Sequence, residues 1–159
     1  GTVRTSIAES IAEAGDIILV IAAGGALGGA LRQAGMAELS HGFATGTGVA
    51  LVPIAWMITA VVRVAQGSAT VAMITAAGVL APIVTASDLG VHPVYVAMAI
   101  GCGSKAGMWM NDGGFWVISR MSGMNERQTL RSASAMVMVE GVTGLAATLA
   151  LAILWPMRG

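Results

Sequence analysis

Two short stretches concentrate the side chains able to hold an anion: Gln66-Gly67-Ser68-Ala69-Thr70, and Gly101-Cys102-Gly103-Ser104-Lys105 followed by Asn111-Asp112-Gly113-Gly114. The hydroxyls of Ser68, Thr70 and Ser104, the amide of Asn111 and the ammonium of Lys105 can all donate hydrogen bonds, while Gly67 and Gly103 leave room for close approach. A carboxylate carrying several hydroxyls fits that donor set. Asp112 and Glu140 are the carboxylates placed to carry a coupled proton. Each feature also has a plainer reading: a helix kink at 66–70, Lys105 snorkelling to an interface, Asp112 capping the next helix, Glu140 bonded to neighbouring helices. No nucleophile and base pair up, because His41 and His92 both fall in turn-like segments, so no enzyme, metal or cofactor is expected. Cys102 stands alone, which excludes an intramolecular disulfide and a thiolate zinc cluster.

The elements that position these residues belong in a membrane. Charged side chains are 10% of the 159 residues, hydrophobic ones 56%, and there are 22 glycines; an average soluble domain has roughly 25% charged residues and about 7% glycine. Formal net charge is zero, which offers nothing to a nucleic acid. Stretches without Asp, Glu, Lys or Arg run over 17–31, 39–62, 64–87, 89–104 and 141–157. The longest, of 24 residues, reach about 36 Å as helix against a hydrocarbon core of roughly 30 Å. The chain starts with Gly1 and is expected to be a piece of a longer polypeptide. The expectation is an all-α integral membrane domain over 1–159, with spans at about 15–34 and 43–64, a hairpin or half-helix at 69–86, a broken span at 93–118 and a span at 132–155.

Along the chain, residues 1–13 read as a polar lead-in. Gly24, Gly25, Gly28 and Gly29 then place small residues four apart on one helical face, which lets another backbone approach and admits a homodimer. They also look like a dinucleotide-binding glycine loop, without the downstream acid or flanking strands that loop requires. The run 71–84 carries Gly78 and Pro82 as interruptions, and Pro93 suits a helix start. Arg120, Arg127 and Arg131 against Glu126 make 119–132 the densest basic segment, a loop expected in the cytoplasm by the positive-inside rule. Gly159 then lies on the other side.

Small polar breaks inside uncharged runs are tolerated in lipid only where protein or water covers the unwound backbone, and an Asp and a Lys at that depth are functional candidates by default. Two such breaks in one chain point to a secondary transporter, where half-helix N-termini aim N–H groups and positive dipole ends at an anion. The alternative is a non-transporting membrane interaction or assembly protein.

The stretch from Arg63 through Gly67-Ser68-Ala69-Thr70 to Pro82, together with Gly101-x-Gly103-Ser104 and Asn111-Asp112-x-Gly114-Phe115-Trp116, resembles the gluconate permease family of the ion transporter superfamily. Ala14-Gly-Asp16 through Leu27 is similar to that family's glycine-rich helix, and Met138-Val-Glu140 to its last-helix glutamate. The resemblance covers nearly the whole chain. It implies a proton-coupled permease (sodium not excluded) for gluconate or a related hydroxy acid in the bacterial inner membrane, built from two inverted repeats with re-entrant hairpins. This chain would be the C-terminal repeat, with one hairpin and one discontinuous helix, partnered by the N-terminal half and the lipid bilayer. Substrate would meet Gly67, Ser68, Thr70, Gly103, Ser104, Lys105, Asn111 and Asp112, and coupling would fall to Asp112 or Glu140. The chain departs from the family at Met108-Trp109, where many members carry Ser-His, and at Lys105, where an apolar residue is common; a different organic anion is therefore a further expectation.

Overall fold

The computed structural model describes residues 48–86 and 90–157 throughout, and residues 3–5, 7, 8, 11, 15, 18, 19, 22 and 26 singly, each of these in helix. The expected glycine-rich face at 24–29, His41 and most of the first expected span lie outside the described residues. The described residues form helices and turns, with no strand among them.

A 3-10 turn at Gly48–Ala50 leads into α1, Leu51–Gln66, which stops where Gly67 takes φ +76° and its N–H bonds back to the Arg63 carbonyl. That left-handed conformation is one a β-carbon disfavours, so glycine ends the helix there. Only Gly67 and Ser68 separate α1 from α2, Ala69–Ala86. Ala76 and Leu80 of α2 join Val52 and Ala55 of α1 in one buried cluster, so the chain folds back on itself at that break. Gly78 and Pro82 do not interrupt α2. The proline ring crowds the carbonyl four residues back, and in this chain that residue is the unencumbered Gly78.

His92 caps α3, Pro93–Gly103, its Nδ1 accepting from Val94 N at 3.2 Å, with Pro93 in the first turn where a missing N–H costs nothing. The chain is then non-helical from Ser104 to Asp112 before α4, Gly113–Met121. The last helix, α5, is continuous over Glu126–Leu154, with a π-helical turn at Leu130–Ser134 inside it. It starts earlier than expected because Asn125 and Gln128 form a reciprocal capping box. The segment 119–132, expected as a loop, is therefore mostly helix, and the true turn is Ser122 to Asn125.

Packing is close and built on small residues. α3 lies against both α1 and α5. A β-carbon on Gly103 would stand 2.5 Å from the Trp56 carbonyl oxygen, and one on Gly141 would stand 2.9 Å from that of Cys102. The Trp56 indole donates to the Gly141 carbonyl at 3.0 Å, and the Tyr95 hydroxyl to the Trp155 carbonyl at 2.5 Å. Among the described residues two helices, Gly48–Gln66 and Glu126–Leu154, are long and apolar enough to cross a membrane. Large apolar side chains such as Met57, Val61, Met136 and Leu154 are exposed, an arrangement that lipid or further protein stabilises and water does not.

Candidate functional site

Helix ends leave backbone groups unpaired, and the end of α1 receives donors from two side chains of the other break. The Val64 carbonyl accepts from the Trp109 indole at 3.0 Å and from the Asn111 side-chain amide at 2.8 Å. The main-chain carbonyl of Asn111 occupies the space that a β-carbon on Gly67 would need. A β-carbon on Gly107, itself at φ +70°, would meet the Val64 side chain. The two breaks, separated by more than thirty residues of sequence, thus form one structural unit.

Beneath that contact lies Arg63, 4% exposed. Its Nε donates to the Ser104 carbonyl at 2.9 Å and its Nη2 to Asp112 Oδ2 in a buried ion pair. Nη1 is buried without a hydrogen-bond partner among the described residues. Asp112 is also the N-cap of α4, its Oδ1 accepting from Gly114 N at 2.7 Å. One carboxylate therefore holds a guanidinium from α1 and starts α4. Removing one partner of such a pair costs about 3–5 kcal/mol, because the other charge stays buried.

The remaining expected site residues divide between the breaks and the neighbouring packing. Ser68 Oγ accepts from Val71 N at 3.3 Å at the start of α2, while Thr70 is exposed. Ser104 is buried, its hydroxyl donating to the Gly101 carbonyl at 2.7 Å. Gly103 is taken up by packing against Trp56 and Thr59. Lys105 does not pair with Asp112: its ammonium lies 3.9 Å from Glu140, with the two side chains 48% and 62% exposed. Arg63, the partner of Asp112, is not among the site residues expected from the sequence. The available signal was a second charge beside the other break, since a buried charge needs a partner.

A family model for GntP family permeases matches residues 1–154. The chain belongs to that family. It is 33% identical over 147 residues to a gluconate permease of Pseudomonas aeruginosa, covering 91% of this chain and 32% of that protein. It is 34% identical over 145 residues to the Gnt-II system L-idonate transporter of Escherichia coli, covering 91% and 33%. An uncharacterised permease of Bacillus subtilis is 35% identical over 144 residues, with 91% and 32% covered. The chain spans about a third of the length of these curated relatives. The relatives named are permeases and transporters, not enzymes. No solved structure matches it significantly.

Proposed function

We propose that this chain is the C-terminal part of a permease that carries gluconate or a closely related hydroxy acid across the bacterial inner membrane with a proton, and that the substrate binds where the two helix breaks meet. The observation carrying the reading is the contact of Gly67 with Asn111 above the buried pair of Arg63 and Asp112. It gathers glycine-terminated helix ends, an amide, hydroxyls and a guanidinium in one place. The matched relatives named as gluconate and L-idonate carriers support a polyhydroxy carboxylate as substrate.

In this reading α1 and α2 form a re-entrant hairpin, α3 and α4 are the halves of a discontinuous helix, and the N-terminal part of the permease supplies the inverted repeat. Asp112 and Glu140 remain the coupling candidates. Lys105 sits beside Glu140, so its positive charge is offset and no second substrate carboxylate is called for. The test is uptake of labelled gluconate and idonate into vesicles containing the full-length parent, driven in turn by a pH gradient and a sodium gradient. Accumulation driven by the pH gradient is expected. If neither gradient drives uptake of a sugar acid, the reading fails.

A further inference from the structure

We infer that Arg63 is the anchor for the substrate carboxylate, a role that rests on the transport reading above. A guanidinium presents its donors along separate edges. In this structure the edge formed by Nε and Nη2 is filled by the Ser104 carbonyl and Asp112 Oδ2, and Nη1 has no partner among the described residues. Asp112 cannot serve both edges, because its other oxygen is committed to Gly114 N at 2.7 Å. Arg63 is 4% exposed, and Nη1 itself is buried.

A buried charged donor left unmade is costly, and a buried ion pair is weak evidence for a gain in stability. The free edge is explained by an acceptor that comes and goes. A planar carboxylate matches it, since two parallel N–H groups meet two oxygens. Arg63 lies one helical turn before Gly67, so hydroxyls of a substrate held there reach toward Ser68, Thr70 and Asn111. The exposed bonds from Trp109 and Asn111 onto the Val64 carbonyl close the same break and are the contacts that must part for entry. With Asp112 ionised, a monoanion on Arg63 leaves the cluster one negative charge in excess. One co-transported proton cancels it.

The experiment compares gluconate with its neutral amide, gluconamide, as competitors of labelled gluconate uptake by the full-length parent carrying Arg63→Lys, Arg63→Gln, or Arg63→Gln with Asp112→Asn. The double variant removes both charges and guards against a lone buried carboxylate. Each folded variant is expected to lose affinity for gluconate by about ten- to a hundredfold, as loss of a charge-assisted hydrogen bond implies, with gluconamide competition little changed. A purely structural role would move both competitors together. Folded variants that keep the wild-type preference for gluconate over gluconamide overturn the inference while leaving transport intact. A wild-type parent that transports no sugar acid overturns the functional reading instead, and this one with it. Should no variant fold, the wild-type parent decides: competition by gluconate at least tenfold tighter than by gluconamide supports a cationic anchor, and equal competition by the two overturns it.

Discussion

Asn111 presents its main-chain carbonyl to the bare α-carbon of Gly67, in the space any side chain there would fill. Gly67 also has φ +76°. Gly67→Ala therefore meets two penalties, a left-handed conformation costing roughly 1–2 kcal/mol for a residue with a β-carbon and a clash with backbone that cannot swing aside. The full-length parent is expected to lose several degrees of melting temperature in detergent and most of its transport. An unchanged melting curve would show that the breaks do not touch.

Asp112 does two separable jobs, and two substitutions divide them. Asp112→Asn keeps an oxygen for Gly114 N but removes the counter-charge of Arg63; Asp112→Ala removes both. Loss of the charge is expected to cost about 3–5 kcal/mol and loss of the cap about 1 kcal/mol more. Folded yield should fall in the order wild type, Asn, Ala. Equal yields for the two variants would mean that the cap contributes nothing.

The third prediction concerns packing of α5 on α3. A β-carbon on Gly144 would stand 2.5 Å from Cys102 Sγ but 3.4 Å from its Cβ. Gly144→Ala should thus destabilise, and adding Cys102→Ala should recover much of the loss, because only the sulfur is in the way. Touching residues couple by about 0.5–3 kcal/mol in a double-mutant cycle. Strictly additive melting shifts would contradict the contact.

How far the structure could be read in advance depended on whether the signal was local. The breaks at Gly67-Ser68 and at Ser104 to Asp112 were visible because small polar residues and glycines interrupt runs without charge. Pro93 marked a helix start for an equally local reason. The partner of Asp112 was not visible: it lies 49 positions from Arg63, and no periodicity links them. Lys105, seven positions away, was the natural local choice and instead faces Glu140. Gly78 and Pro82 read as breakers, although the pair lets a proline be accommodated within α2. The π turn at 130–134 leaves no composition signature at all.

Topology is the fourth prediction. Arg120, Arg127 and Arg131 flank the turn Ser122 to Asn125, which should face the cytoplasm. Asn125 is unsuitable for a reporter cysteine, because its side chain caps α5. Ser122 is exposed and contributes backbone bonds to the end of α4, so Ser122→Cys should fold normally in a parent lacking other reactive cysteines. An impermeant maleimide is expected to label it in inverted vesicles and to leave it unlabelled in intact cells. The opposite pattern would reverse the orientation.

Glu140 carries the last prediction. It lies midway along α5 with its carboxylate 3.9 Å from the Lys105 ammonium, both side chains well exposed in this chain. Neither side chain is buried in this chain, so Glu140→Gln and Lys105→Met should leave folded yield close to that of wild type. Transport is where they should differ from it. If Glu140 carries the coupled proton, Glu140→Gln loses uphill accumulation of gluconate under a pH gradient but keeps exchange of labelled for unlabelled gluconate at equal pH, a process needing no net proton movement. Normal accumulation by Glu140→Gln would remove Glu140 from the coupling path and leave Asp112 as the candidate.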